Sequence, residues 1–392
     1  MPTITPKEDK SPAAGHAVGQ SSTEHSSATE QASPAEQVSP AGRVYPEQAS
    51  IAERPVSLKD QWISFRTAHP QVRIRDAAQQ LQTTEAEILA SFAGSSVLLL
   101  NKEFQNLLQR LPELDYVMVL TRNESCVQER KGVFEEIVVH GRHVGVVTGP
   151  DIDLRIFFQH WAFALAVFAD EAAGFKDSLQ IFDQQGVAVM KIFLQEHSDR
   201  SAFEKIVRDF SAELQSSALD ILPAPAPPVY NDENVDITSF RTDWSELKDT
   251  HDFFPMLKRH NVSRLHAVRI AGDYAKKVSN DTVRQLLQRA SADDWEIMIF
   301  VANHGNIQIH TGPVKKILLI PGWINVMDPA FNLHLKLPDI HETWMVRKPT
   351  VDGWVHSLEL FDAKGEMIVQ FFGKRKPGIP ENKILRDWIN RL

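Results

Sequence analysis

Short apolar segments separated by turn residues dominate the middle of the first half of the chain. Seven segments rich in Val, Ile and Phe follow one another closely, over 116–122, 134–141, 142–150, 152–158, 163–170, 178–183 and 187–193. Parallel strands need long crossover connections, for which these short spacers leave no room. The pattern therefore predicts an antiparallel β-sheet.

Apolar residues at helical spacing lie on both sides of this sheet region. They include Trp62 and Phe65 before it and Phe203 and Ile206 after it. Residues 83–87 have the sequence of an N-terminal helix cap, with threonine followed by glutamate. We therefore expect helices to flank the sheet.

The second half repeats the pattern of the first. The matched pairs, at an offset of 179 or 182, are 178–183 with 357–362, Gly186 with Gly365, Pro150 with Pro329, 154–156 with 333–335, Trp62 with Trp244, and His69 with His251. A common offset across separate segments indicates a tandem duplication. We predict an α+β fold of two similar halves, each an antiparallel β-sheet with flanking helices.

Composition divides the chain further. Residues 1–54 consist mainly of Ser, Ala, Glu, Gln and Pro, so we expect a disordered N-terminal tail. A proline-rich linker at 222–232 would then separate an N-terminal repeat, 55–221, from a C-terminal repeat, 233–392.

Charge and cysteine content limit the possible partners and compartment. The formal net charge of -9 provides no global basic field for nucleic acid. No apolar run reaches the roughly 18 residues that span a bilayer, so we expect no stable membrane insertion. The one cysteine, Cys126, cannot form an intramolecular disulfide, which fits a cytoplasmic protein.

The stretch 244–264 combines His251, the phenylalanines at 253 and 254 and several cations. Its apolar spacing predicts an amphipathic helix with Trp244, His251 and Phe254 on the same side, and Asp249 or Thr250 could cap a turn just before the histidine. Nearby hydrocarbon favours a neutral imidazole, which can bind iron. His251 is therefore either an iron ligand or a partly buried structural histidine.

Other cations are candidates for binding an anionic ligand. Arg155 alternates in a predicted strand and is either a solvated cation paired with Asp153 or a donor that faces a ligand. Arg264, Lys348 and Arg375 are either solvated or able to bind carboxylates. The chain has no P-loop, nucleophile elbow, zinc-protease motif or dinucleotide fingerprint, so the common hydrolase and nucleotide-binding classes lose support.

Several ordered blocks resemble the HemS/ChuS-type haem-utilisation proteins, also called hemin-degrading factors. The blocks cover the chain from about Trp62 onward and are 121–124, 153–155, 257–261, 277–280, 308–312, 344–350 and 357–361. The resemblance implies a tandem repeat of α+β halves that holds haem b between them, with His251 as the axial iron ligand. It further implies a distal Arg155, which would be the catalytic donor, a pocket aromatic Phe300, and Arg264, Lys348 and Arg375 near the haem propionates.

Two positions depart from the pattern of some family members. Phe372 replaces a pocket tyrosine, which keeps the ring but removes a hydroxyl donor, and Gln128 replaces a histidine. The family resemblance implies a cytoplasmic haem-binding protein of haem-iron utilisation. We expect it to degrade imported haem with an external electron donor; the alternative is a chaperone that delivers haem from the inner-membrane importer to a separate oxygenase.

Overall fold

Antiparallel β-strands form the centre of the molecule. This computed structural model describes residues 56–375, 378 and 380–391, and the predicted disordered tail, 1–54, lies outside them. The strands are β1 (Val97–Leu100), β2 (Asp115–Arg122), β3 (Cys126–Gly132), β4 (Glu136–His140), β5 (Val144–Thr148), β6 (Asp153–Phe157), β7 (Phe163–Val167), β8 (Ser178–Phe182), β9 (Ala188–Ser198), β10 (Ala275–Val278), β11 (Glu296–Ala302), β12 (Asn306–Pro313), β13 (Ile317–Ile320), β14 (Trp323–Met327), β15 (Phe331–Lys336), β16 (Glu342–Thr350), β17 (Gly353–Phe361) and β18 (Met367–Gly373).

The helices lie before, between and after the strands in each half. They are α1 (Leu58–Ala68), α2 (Ile74–Gln80), α3 (Glu85–Ala90), α4 (Phe104–Arg110), α5 (Arg200–Phe210), α6 (Ile237–Ser245), α7 (Phe253–His260), α8 (Arg264–Ile270), α9 (Thr282–Ala292) and α10 (Lys383–Ile389). The expected cap is present. The Thr84 side chain accepts a hydrogen bond from the backbone N–H of Glu87, and the Glu87 carboxylate accepts one from the backbone N–H of Thr84. None of the described helices combines the length and apolar character that a membrane crossing requires.

The strands form two nine-stranded sheets, and each sheet contains strands from both halves. Sheet A has the order β1-β7-β8-β9-β2-β3-β15-β14-β13, and sheet B has the order β10-β16-β17-β18-β11-β12-β6-β5-β4. Thus β4 to β6 of the first half extend the sheet of the second half, and β13 to β15 extend the sheet of the first. The predicted α+β fold of two duplicated antiparallel halves is confirmed, and the exchange of three strands is an addition to it.

The two sheets pack against each other through their buried faces. One core cluster joins Val117 and Val119 of β2 in sheet A to Leu154 and Ile156 of β6 in sheet B. A second joins Ile297, Ile299 and other residues of β11 to Leu333 and Leu335 of β15. Alternation along each strand therefore leaves the opposite face of each sheet pointing outward.

Helices cover part of each outward face. On sheet A, residues of α1 to α3 pack on β1 and β7 in a cluster that includes Trp62, Leu89 and Leu165. On sheet B, residues of α6 to α8 pack on β16 and β17 in a cluster that includes Trp244 and Trp344. The remaining strands of both outward faces are only half-buried, so each half has an open part of sheet beside a helical layer.

Candidate ligand-binding site

The segment that carries His251 is not the single helix predicted from its apolar spacing. After α6 the chain makes a short 3-10 turn, Thr250–Asp252, and only then enters α7. Trp244 is buried as expected, but His251 and Phe254 are exposed. The physical reason is Asp249, whose carboxylate binds the backbone of the turn and so competes with continuous helix.

The same carboxylate orients the His251 ring. His251 donates to Asp249 Oδ1 from its backbone N at 2.8 Å and from Nδ1 at 2.5 Å, and its side chain is 90% exposed. These two interactions, with the backbone bond contributing most, hold the pKa of Asp249 below its usual value. With the Nδ1 proton directed to a carboxylate, Nε2 is left as the free ligand atom, the arrangement common for metal-binding histidines.

The other candidate residues in strands lie on one outward face, that of sheet B. The register pairs that connect them are Arg155 with Ile307, Ile307 with Ala302, Phe300 with Gln370, Met298 with Phe372, Phe372 with Ser357, and Lys348 with Val355. Because residues two apart on a strand share a face, Arg155, Phe300, Phe372 and Lys348 all point to the same side. The first half thus contributes Arg155 to a face that otherwise belongs to the second half.

We call the half-exposed part of this face, formed by Arg155, Met298, Phe300 and Phe372 beside the layer of α6 to α8, the second-half slot. Phe300 and Phe372 form its aromatic floor, with ring centroids 4.9 Å apart at 61°. Arg155 stands three strands away from Phe372, which corresponds to about 14 Å of sheet surface. A flat apolar molecule could rest on this floor.

Arg155 forms the ion pair that its sequence neighbours suggested. Its Nη1 bonds the carboxylate of Asp153, two residues away on the same face, and donates to the Leu154 carbonyl at 3.0 Å. Burial raises the pKa of Asp153, and Arg155 partly opposes that shift. The guanidinium is therefore held at the edge of the slot by its own strand.

Arg264 and Lys348 are not solvated surface cations. Both bind the fully buried carboxylate of Glu359: Arg264 donates from Nε at 3.1 Å and Nη2 at 3.0 Å, and Lys348 donates from Nζ at 2.9 Å. Ser357 and Gln370 add further bonds at 2.9 and 3.0 Å. Burial raises the pKa of Glu359, but the two cations outweigh it and hold the pKa far below its usual value.

This cluster also fixes the start of α7. The Lys348 ammonium lies 4.4 Å and the Arg264 guanidinium 5.3 Å from the centroid of the Phe253 ring. Phe253 follows His251 by two residues, so the cations bound by Glu359 position the histidine segment. Arg375 lies within electrostatic range of Asp249, and its charge helps to lower the pKa of that carboxyl.

Sequence reasoning missed Glu359 and the contact of both cations with Phe253. A signal was present, because a glutamate inside the apolar run Leu358 to Phe361 is rarely buried unless it is paired. Within the described residues, no three His, Cys, Asp or Glu side chains are grouped to hold a metal ion. A surface groove of about 530 Å³ lies elsewhere, between the end of α9 and β13.

Sequence comparison gives the family to which this duplicated chain belongs. The family described as the haemin-degrading HemS.ChuX domain matches twice, over residues 82–210 and 261–392. The chain belongs to this family, which confirms the resemblance drawn from its motifs.

The matches to individual relatives cover nearly the whole length of those proteins. The hemin transport protein HmuS of Yersinia pestis is 38% identical over 342 residues, which are 86% of this chain and 97% of that protein. Holo-PhuS, a heme-binding protein from Pseudomonas aeruginosa, superposes with a TM-score of 0.83 at 44% identity and covers 85% of this chain and 97% of its own. ChuS, an E. coli heme oxygenase, gives a TM-score of 0.76 at 33% identity over 86% of this chain and 99% of its own.

Proposed function

We propose that this protein binds haem in the second-half slot and degrades it to release iron. The observation that carries the proposal is the strand register, which brings Arg155 from the first half onto the same outward face as Phe300, Phe372 and Lys348. The exposed His251, oriented by Asp249, borders the same helical layer. Relatives described as a hemin transport protein, a heme-binding protein and a heme oxygenase support this ligand class.

Each residue has a distinct task in this proposal. His251 offers Nε2 to the iron, while the aromatic floor takes the apolar face of the ring. Bound haem would supply the redox chemistry through which dioxygen opens the ring. Arg155 would donate a hydrogen bond to the oxygen at which negative charge develops during the reaction.

The cations play two roles. Arg375, near Asp249, would bind a haem propionate at the rim. Arg264 and Lys348 carry two positive charges and Glu359 carries one negative charge, so the cluster has a net charge of +1. It could therefore bind a second propionate while it positions Phe253. In the same proposal the protein acts in the cytoplasm, receives haem from an inner-membrane importer and uses an external electron donor; its single cysteine is a free thiol.

Haem binding is tested by titrating hemin into the apo protein and recording the Soret band. His251→Ala should shift the band and weaken binding, whereas His69→Ala, the matched histidine of the first half, should change neither. Equal spectra and affinities for wild type and His251→Ala would contradict the ligand assignment.

Degradation is tested on the loaded protein with and without oxygen and a reductant. Loss of the Soret band with formation of a linear tetrapyrrole only when both are present supports the proposal. Arg155→Ala should slow this loss while it retains most haem binding. Intact haem that passes to an added acceptor, with no ring opening, would instead support the chaperone function.

A further inference from the structure

The first half has a slot of its own, and its chemistry differs from that of the second. On the outward face of sheet A, Arg122 of β2 lies opposite Val127 of β3, which lies opposite His334 of β15. The equivalent row on sheet B is Ala302, Ile307 and Arg155. We call the row of Arg122, Val127 and His334, beside the layer of α1 to α3, the first-half slot.

Arg122 is a half-buried cation without an acidic partner among the described residues. Its Nε donates to the Asn123 carbonyl at 3.2 Å, and it forms no ion pair there. Arg75 of α2, whose side chain is 16% exposed, lies within electrostatic range but binds the carboxylate of Glu124. Burial, and next the repulsion by Arg75, lower the pKa of Arg122, while the nearby charges of Glu85, Glu124 and Asp76 partly oppose this shift. An arginine in such a place is suited to binding an anion, which would offset the cost of its burial.

His334 presents a lone pair to the same slot. Asn325 fixes the ring, because its Nδ2 donates to the Leu318 carbonyl at 3.2 Å and its Oδ1 therefore faces His334 Nδ1 at 2.7 Å. The Nδ1 proton is directed to this oxygen, so Nε2 is the acceptor. Burial lowers the pKa of His334, although the nearby charge of Glu129 opposes this shift and that of Arg73 adds to it; the lowered pKa favours the neutral ring.

The spacing of these two groups limits the size of a ligand. Arg122 and His334 lie on strands separated by one strand, so their backbones are about 10 Å apart. Between them lies the apolar side chain of Val127, and the half-buried Leu120 adjoins Arg122 on β2. The row is thus apolar at Val127, with the cation of Arg122 at one end and a hydrogen-bond acceptor at the other, and Glu129, opposite Leu120, lies in the next row of the same face.

We propose that the first-half slot binds a flat organic acid about 10 Å long, whose carboxylate meets Arg122 and whose hydroxyl or N–H group donates to His334 Nε2. The ligand is a second one, distinct from the molecule in the second-half slot. The two residues that would recognise this ligand differ between the halves. Arg122 corresponds to Ala302 of the second-half slot, and His334 corresponds to Arg155.

The probe for this site is 6-hydroxy-2-naphthoate, which has a carboxylate and a hydroxyl at opposite ends of a flat ring system. Titration calorimetry on the haem-loaded full chain should show one additional site. Arg122→Ala and the milder Arg122→Gln should weaken binding by about tenfold or more, because each removes a charged hydrogen bond. Arg284→Ala, which removes a half-buried arginine on α9 that is paired with Asp281, should leave the affinity unchanged.

The role of His334 is tested by removing the hydroxyl from the probe. Wild type should bind 2-naphthoate more weakly than the hydroxylated probe, and His334→Phe should bind the two equally. An affinity that Arg122→Ala and Arg122→Gln leave intact, a hydroxyl effect that persists in His334→Phe, or no binding at all would overturn the proposal. The same titrations on the apo chain give an answer even if haem does not bind at His251.

Discussion

Replacing Glu359 by glutamine should strongly destabilise the protein. The substitution keeps the shape of the side chain but removes the one negative charge that both Arg264 and Lys348 bind. Lys348 is only 4% exposed, so its ammonium would remain buried without a carboxylate. Removing one partner of a buried ion pair typically costs about 3–5 kcal/mol in the free energy of unfolding.

The pH dependence gives a second measure of the same effect. Burial lowers the pKa of Lys348, and Glu359 partly opposes this, so the pKa of Lys348 should fall further in Glu359→Gln. A buried amine with a lowered pKa destabilises the fold while it is charged, and this cost decreases as rising pH removes its proton. The difference in stability between wild type and variant should therefore narrow as the pH rises from neutral toward the usual pKa of lysine, about 10.

Equilibrium unfolding in urea, followed by circular dichroism at several pH values, would measure both effects. The exposed Glu366→Gln in the turn before β18 is the matched control and should stay within about 0.5 kcal/mol of wild type. A loss of less than about 1 kcal/mol for Glu359→Gln, or a difference that does not narrow between neutral pH and about pH 10, would refute this account of the cluster.

Three further predictions concern stability. Burial lowers the pKa of His310 to about 3; the wild type should thus lose stability as pH falls from about 6.5, by up to about 1.4 kcal/mol per pH unit, and His310→Leu should flatten this slope in urea melts. Burial raises the pKa of Glu342, but hydrogen bonds, the largest from Arg269, outweigh burial and lower this pKa to about 2. Glu342→Gln should therefore remove stability that the wild type retains above about pH 4 and loses below it. In Gly305→Ala the new Cβ would lie 2.6 Å from a methyl of Val189, and calorimetry should show a loss of about 1–3 kcal/mol.

Local sequence pattern predicted the strands and the repeat but not the exchange between sheets. Alternation along β6 shows that Leu154 and Ile156 are buried, and it places Arg155 on the opposite face. It contains no information on which strand pairs with β6, because that choice depends on contacts far apart in the chain. The division into repeats at 222–232 stays a prediction; residues 222–231 have no regular secondary structure.

For the candidate site, the sequence likewise predicted the types of residue but not their contacts. The types of residue around His251 identified a possible ligand segment, but apolar spacing alone placed the histidine on a helix that the Asp249 cap interrupts. The cations Arg264 and Lys348 were expected to be solvated or bound to a ligand, since nothing in the local pattern shows that Glu359 meets both. Such contacts arise from packing a helix layer on a sheet, which periodicity does not encode.

The strand exchange makes one chain look like a fused pair of interlocked subunits. Two copies of a single ancestral repeat would complete each other's sheets in the same manner, as a homodimer with identical sites related by symmetry. When the two copies are joined in one chain, the two sites need not remain identical, because each copy can acquire its own substitutions. Arg155 and its counterpart His334 are a difference of this kind, and it would allow the two halves to bind different molecules.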